Sequence, residues 1–552
     1  MKLTGLLLAS VVASQDDARP LKVIVHVGFG TLSHIKPLLE MGTLLRARKH
    51  TVVYAAFDSG ERFNEPYKFK FAPLGNFGDA AGQRVKMKKL FSGREVQDPL
   101  KSIPKTFGIV APAAYDATYP TLSRVMDDEK PDVILCDFFS SACRDVAEMK
   151  GIPLITGFQS TDIFDIVSSP FITSNMVYGS ITTDKLNFFQ RFHDKVFTPL
   201  RSVYNFNTLT KAVNKARARH GVPPASLPFG DFSTSLGLAN TFEGLEAATP
   251  LPPYIKMVGP IKSDSHTPLT PGLAKFLDAH PRTLYIAFGS AVVLGDFDIE
   301  NLVMASLTAL DKGSIDGVLW GLGKTDSEDF PKDFSTNGST ITRDELFSDQ
   351  HPHIRLLPWA PQAAILEHKN TRLFISHGGL ESTVEALLSG TPILCMAFFG
   401  DQPRNARKLE DAGVGKYVDR LTATPTTLAS DIKYILDDNG GMLSANVKRM
   451  RTIAQFGSRR KALGADMIEE YAYTAQVCRP IYPHKYGEVP CELKHLAMTS
   501  RDMTFIQANL IDVYGVAILL ALTCIFVLGY GLRSLIPKQL PNQPTTIAKK
   551  DQ

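Results

Sequence analysis

The stretch from Trp359 to Gln402 constrains the fold more than any other part of the chain. Leu373-Phe374-Ile375 is a short apolar run of strand type, and Ser376, His377, Gly378 and Gly379 then turn the chain. Ser382 to Leu388 has helical character and is stopped by Gly390 and Pro392. A strand, a Gly-Gly turn and a helix start together make an anion site. Free backbone N–H groups and the positive end of the helix dipole converge there, and paired glycines let an anion approach the main chain closely. His377 and the Ser382 hydroxyl add side-chain donors. The pattern predicts a phosphate cradle; its bland alternative is a buried βα unit with a glycine turn.

The wider stretch reads W-A-P-Q (Trp359 to Gln362), F-I-S-H-G-G-L-E-S (Phe374 to Ser382) and G-D-Q-P (Gly400 to Pro403). Without a gap, it resembles the nucleotide-sugar signature of the UDP-glycosyltransferases, inverting enzymes of the GT-B fold. The resemblance implies that Trp359 stacks on uracil and Gln362 contacts the nucleoside. It implies His377, with Gly378, Gly379 and Ser382, for the diphosphate, and Glu385 for the ribose. Asp401 and Gln402 would hold sugar hydroxyls, and Ser290, in I-A-F-G-S, another phosphate contact. There is one departure. Members usually carry Asn where this chain has Glu381, and a carboxylate beside a diphosphate is unfavourable, so Glu381 is expected to turn away.

Around this stretch the chain follows a βα rhythm twice. Strands are predicted at Lys22 to Val27, Thr51 to Phe57, Val133 to Cys136, Leu154 to Gly157 and Leu236 to Ala239. The second set is Leu284 to Phe288, Gly317 to Trp320 and the run before His377. Helices are predicted at Ile35 to Arg48 and Ser141 to Lys150, with a long helical insertion from about Asp162 to Arg219. Alternating strands and helices imply an α/β protein with parallel sheets covered on both faces. The expected architecture is two Rossmann-like domains, residues 19–250 and 283–475, facing across a cleft. Residues 251–282, rich in proline, are expected to link them.

An acceptor hydroxyl needs a base, and the first half offers one. His34 follows the first strand in G-F-G-T-L-S-H, and Asp137 follows V-I-L-C. Loops at the carboxyl ends of parallel strands share one rim. A neutral imidazole there can take a proton from a hydroxyl as it attacks. A carboxylate on the far ring nitrogen fixes the tautomer and stabilises the imidazolium. The resemblance implies these same roles for His34 and Asp137, with UDP-sugar as co-substrate and no metal cofactor.

The ends carry addresses. Lys2 and the apolar run Leu3 to Ala13 read as a signal peptide, residues 1–18. Val513 to Leu532 contains no charge and is long enough to cross a bilayer. Residues 476–512 would be juxtamembrane and 533–552 a basic cytoplasmic tail. The terminal K-K-D-Q resembles a dilysine retrieval signal of the endoplasmic reticulum. The expectation is a single-pass type I protein of that membrane, with a luminal catalytic body. Asn337-Gly338-Ser339 is a glycosylation sequon. Cys136 and Cys395 read as plain core residues, Cys524 lies in the span, and Cys478 and Cys491 are a candidate luminal pair. Asp296-Phe297-Asp298 resembles the metal-binding D-x-D of another glycosyltransferase fold, but is read as opening a helix.

Composition bounds the partners. The chain has 552 residues, a net charge of +4, 44% hydrophobic and 21% charged residues. That describes a globular protein and gives no ground for nucleic-acid binding. The basic run Arg84 to Arg94 reads as a solvated loop or, less simply, a contact with anionic membrane. Phe- and Ile-rich residues around Phe164 to Phe206 point to a lipophilic acceptor such as a sterol, phenol or lipid. Self-association stays open. Gly28-x-Gly30-x-x-Ser33 resembles a dinucleotide fingerprint lacking its third glycine, so an NAD-type oxidoreductase is one rival. An inactive nucleotide-sugar-binding membrane protein is another. A serine hydrolase is disfavoured because no G-x-S-x-G occurs.

Overall fold

Each strand read from the sequence forms, and the parallel pairing of those strands decides where the loops meet. The computed structural model describes residues 19–28, 32–78, 99–164, 169–174, 179–263, 266–290, 292–336 and 339–535. The expected signal peptide, the basic run at 84–94, Asn337 and Gly338 of the sequon, and the terminal K-K-D-Q read as a retrieval signal lie outside the described residues.

The first lobe carries β1 (Lys22–His26), β2 (Thr51–Ala56), β3 (Lys70–Pro73), β4 (Val133–Asp137), β5 (Leu154–Phe158), β6 (Leu236–Ala239) and β7 (Ile255–Met257). Their order is β3-β2-β1-β4-β5-β6-β7, parallel throughout. The second lobe carries β8 (Thr283–Ala287), β9 (Gly317–Gly321), a hairpin of β10 (Asp333–Thr336) and β11 (Ser339–Thr342), then β12 (Ile354–Leu357), β13 (Thr371–Ser376), β14 (Ile393–Met396) and β15 (Gly415–Val418). Apart from the hairpin, these form a second parallel sheet, ordered β12-β9-β8-β13-β14-β15. In the first sheet the chain runs outward from β1 and then restarts at β4; in the second it does so from β8 and β13. Ligands in open α/β sheets bind at such reversals, beyond the strand carboxyl ends.

Several boundaries differ from the sequence reading. Residues 251–282 are not a plain linker. They supply β7 to the first sheet and helix Pro271–Ala279, whose Phe276 and Leu277 pack into the second lobe. Proline marked turns there, but the short apolar runs between the prolines found sheet and core to join. Helix Lys461–Cys478, assigned by sequence to the second domain, instead joins the first-lobe core through Ala465, Ile468, Tyr471 and Ala472. Its Gly464 lies against Met41 so closely that a Cβ would stand 2.0 Å from the methionine Cε. Helix Thr198–Arg219 turns Leu209 and Val213 toward Ala111 and Tyr115. Its other face continues an exposed stripe that runs through Phe189, Phe192, Val196, Leu200, Val203 and Tyr204. Among the described residues of the Phe-rich insertion the rings do not gather into one acceptor pocket: Phe164 is core, Phe206 packs against the Leu209 and Val213 cluster, and Phe188, Phe189, Phe192, Phe197 and Tyr204 are exposed.

Cys478, a candidate partner of Cys491 whose pairing the sequence left open, is bonded to it. Cys136 does not stay a plain core thiol but pairs with Cys143, one helical turn into Ser141–Lys150. The seven-residue separation hid this, because it becomes a short distance only when the helix folds back under β4. Cys395 is buried and Cys524 exposed, both unpaired. Asp296 and Asp298 do open a helix, Asp296–Asp311, and Asp298 is held there by Arg420 at 2.7 and 2.9 Å. Residues 497–552 form a separate unit, in which Ile511–Arg533 is helical with a mean hydropathy of 2.5, long and apolar enough to cross a membrane.

A buried ionic cluster ties the two lobes. Asp162, beyond β5, accepts from Arg404 at 2.7 Å and pairs with Lys408 at 2.8 Å. Lys408 also binds Glu246, which accepts from Thr241 at 2.7 Å. Burial would raise the Asp162 pKa, but the two cations outweigh it and hold the carboxyl well below the usual range. Removing one partner of such a buried set strands the others. Lys408→Met is expected to lower unfolding free energy by about 3–5 kcal/mol, read from denaturant unfolding of the purified protein.

Candidate functional site

At the first reversal, the sequence places one imidazole and one carboxylate on facing elements. His34 lies in the first turn of helix Leu32–Ala47, which begins earlier than its apolar pattern indicated, so the residue is helical rather than in a loop. Asp137 is the last residue of β4 and is buried. The His34 Nδ1 lies 2.8 Å from Asp137 Oδ2. Since a carboxylate accepts there, Nδ1 carries the proton and Nε2 is the nitrogen left basic. The Phe139 N–H donates to Asp137 Oδ1 at 3.1 Å, fixing the carboxylate. Phe138 and Phe139 flank the imidazole at ring separations of 5.9 and 5.2 Å. Burial would lower the His34 pKa. The charge and hydrogen bond of Asp137, helped by the charge of Asp401, outweigh it and raise the pKa above its ordinary value.

At the second reversal, the loops after β8 and β13 enclose a glycine-lined cradle. Helix Leu380–Ser389 starts at Gly379 with no side chain capping it. Its first N–H groups are unsatisfied within the helix, and they point beyond its end. Gly378 has a φ of +79°, and a Cβ on it would stand 2.5 Å from Cys395 Sγ. The His377 ring is sandwiched by glycines. A Cβ on Gly379 would meet its Nε2 at 2.3 Å, and a Cβ on Gly289 would meet its Cε1 at 2.7 Å. Ser290, next to Gly289, is thereby brought to the same rim as His377. Burial pushes the His377 pKa down to about 4, so the ring is neutral, and its buried Nδ1 has no hydrogen-bond partner among the described residues.

The remaining residues named from sequence lie in the same lobe. Trp359, in the turn after β12, is 66% exposed, so its ring is accessible for stacking. Gln362 opens helix Gln362–Glu367 and donates to Glu385 at 2.7 Å and Ser382 at 3.0 Å. Asp401 and Gln402 begin helix Gln402–Asp411. Asn405 bridges Asp401 at 2.7 Å and the Gly378 carbonyl at 2.9 Å, so the two ligand loops are hydrogen-bonded together. Gln402 Oε1 accepts from the Phe398 and Phe399 N–H groups at 2.9 and 3.1 Å, so the Oε1 end of the amide is engaged by the main chain.

The twelve positions named from sequence divide between the lobes, His34 and Asp137 on the first and the other ten on the second, and the charges of His34 and Asp401 bear on each other. Sequence reasoning missed Lys36, Asn405, Gly289 and the Asp162–Arg404–Lys408 cluster. Lys36 lies two residues after His34, and its ammonium pairs with Glu381 at 2.6 Å and Glu385 at 3.2 Å. Glu381, expected from sequence to turn away from a diphosphate, is engaged by this lysine. The available signal was charge: an isolated lysine on an apolar helix start and a carboxylate at a helix start meant for anions.

Two Rossmann-like lobes facing across a cleft, with a helix-start anion site in the second, define the GT-B class of glycosyltransferases. Solved structures of that fold are similar. A UDP-glucosyltransferase from Polygonum tinctorium, capable of glucosylating indoxyl, aligns with a TM-score of 0.55 at 18% identity, covering 82% of this chain and 99% of that one. The chain matches the UDP-glucoronosyl and UDP-glucosyl transferase family over residues 105–455, and it belongs to that family. A UDP-glycosyltransferase of Talaromyces amestolkiae is 29% identical over 92% of this chain and 97% of its own. The 2-hydroxyacylsphingosine 1-beta-galactosyltransferase of Rattus norvegicus is 24% identical over 94% of this chain and 90% of its own. The donor class that the family uses is a UDP-sugar.

The glycine sandwich around His377 makes a direct prediction. Gly379→Ala forces the imidazole out of its slot, and UDP affinity measured by titration calorimetry is expected to fall by roughly tenfold or more, about 1.4 kcal/mol or above.

Proposed function

We propose that the protein is an inverting hexosyltransferase, moving glucose or glucuronate from its UDP-sugar to a hydroxyl of a small lipophilic acceptor. The observation that carries this reading is the 2.8 Å His34–Asp137 pair at the rim of one lobe, electrostatically coupled to Asp401 on the other. In this reading the acceptor O–H attacks the anomeric carbon from the face opposite UDP. Its proton passes to His34 Nε2, while Asp137 stabilises the imidazolium. The C1–O bond to the β-phosphate breaks, and its electron pair leaves with UDP. His377, the Gly378–Gly379 turn, Ser382, Ser290 and the first N–H groups of helix Leu380–Ser389 meet the charge developing on that oxygen. Preorganised dipoles and a neutral imidazole serve this role without a metal cofactor. Trp359, Gln362 and Glu385 hold uridine, and Asp401 with the Gln402 NH2 holds sugar hydroxyls.

The candidate span Ile511–Arg533 supports a single-pass membrane protein, which we place in the endoplasmic reticulum with its catalytic body luminal. The similarity to a sphingolipid galactosyltransferase supports a lipophilic acceptor. The rival oxidoreductase reading loses ground, because Gly28 is packed against Ser140 and His26, where a Cβ would stand at 3.0 and 3.2 Å. That glycine has a packing reason unconnected with a dinucleotide.

The test is kinetic and stereochemical. His34→Ala is expected to lower kcat by roughly 10²–10⁴-fold with UDP binding retained, and the wild-type product to carry inverted anomeric configuration by NMR. Retained configuration, or full activity in the variant, overturns the assignment. Because a base must be unprotonated, kcat/KM should rise with pH through the raised His34 pKa, giving a limb above the ordinary histidine value. Asp137→Asn removes the charge that raises it and leaves burial, which lowers it, so the limb moves to lower pH while the maximal rate falls.

A further inference from the structure

Helix Leu380–Ser389 carries two carboxylates, Glu381 and Glu385, in its first two turns, at the end that greets an anion. Glu381 Oε1 accepts from Lys36 at 2.6 Å, and Glu385 Oε1 from the same ammonium at 3.2 Å. Lys36 belongs to helix Leu32–Ala47 of the opposite lobe, which touches helix Leu380–Ser389 directly. All three side chains are largely shielded, at 19%, 14% and 16% exposure. Glu385 has a second partner in Gln362. Glu381 Oε2 is buried with no hydrogen bond among the described residues. The nearby Glu40 is engaged separately, by Lys461, Tyr67 and Ser263. Lys36 is thus the cation that balances the Glu381–Glu385 pair.

We propose that Lys36 is a positioning residue for the donor: a counter-ion supplied across the cleft, without which Glu381 would repel the diphosphate from its own helix start. The inference rests on the UDP-sugar reading of that site. Like charges repel in a partly shielded site, so an ionised, unbalanced Glu381 acts against the dipole and N–H groups that favour an anion there; burial pushes the Glu381 carboxyl up, and the charge of Lys36 is the main influence opposing it. The same pair fixes the helix bearing His34 to the helix bearing the phosphate cradle. Lys36 therefore serves binding through charge and base placement through geometry. Burial would lower the Lys36 pKa, but the two carboxylates reverse that and raise it, keeping the ammonium charged at any working pH.

The test uses the full-length protein in detergent or nanodiscs, with UDP and uridine as probes in titration calorimetry. Lys36→Met is expected to weaken UDP about tenfold relative to uridine, because only UDP carries the charge that Glu381 repels. Lys36→Met with Glu381→Gln should restore the UDP-to-uridine ratio, and Lys36→Arg should preserve it. Glu381→Gln alone should leave that ratio unchanged or higher. Equal losses for both probes, or a double variant no better than Lys36→Met, overturn the charge role. Should Lys36→Met not fold, Glu381→Gln decides: a lower UDP-to-uridine ratio in it refutes the proposal, and an equal or higher one supports it. Wild-type protein that binds neither UDP nor a UDP-sugar refutes the donor reading itself, a result distinct from all of these.

Discussion

Two independently built sheets can share one chemistry only if something holds their carboxyl-end rims in register. In this protein that constraint is met by buried charge. Asp162 and Glu246 on one side engage Arg404 and Lys408 on the other, and both cations lie on the helix that begins with Asp401 and Gln402. The same helix, through Asn405, is hydrogen-bonded to the Gly378 carbonyl. Fixing this one helix against the first lobe therefore also fixes Asp401, Gln402 and the Gly378–Gly379 turn. Helix Lys461–Cys478 supports the arrangement from behind by completing the first-lobe core with residues that follow the second sheet in sequence. The lobes are in this sense interlocked rather than merely joined.

The cleft is lined by groups whose environments pull their proton affinities in opposite directions. His34 is raised by the carboxylates near it, whereas His377, with only burial acting on it, is pushed down to about 4. One imidazole is thus suited to receive a proton, the other to remain neutral against a phosphate. Separation of roles by environment is a common mark of acid–base sites. Lys36 adds a third element, since it brings a positive charge from the first lobe to helix Leu380–Ser389, two residues beyond His34. One short helical turn thus carries both His34 and the cation that engages Glu381 and Glu385.

Glycine has structural work at two points in this cleft. Gly289 and Gly379 flank the His377 ring at distances no side chain tolerates, so the imidazole is oriented by the absence of Cβ atoms rather than by a hydrogen bond. The cradle's shape is set before any ligand arrives, and its N–H groups need little reorganisation to meet developing charge.

Much of this was legible beforehand. Apolar runs of strand length separated by helical patterns determined two parallel sheets, and the carboxyl ends of the first and fourth strands determined the rim on which His34 and Asp137 stand, although His34 proved helical and Asp137 the last strand residue. The Trp359-to-Gln402 stretch determined a strand, a glycine turn and a helix start, because these are local features that residue order encodes. What sequence left open were relations over long separations. Cys136 meets Cys143 only through the packing of a helix under a strand, and the proline-rich 251–282 segment becomes sheet and core only beside its neighbours. Lys36 and Glu381 are more than three hundred residues apart, and neither side chain advertises the other. Local propensity chose the elements; the tertiary structure decided which charges face each other, because a buried ion pair exists only once both partners have left water together.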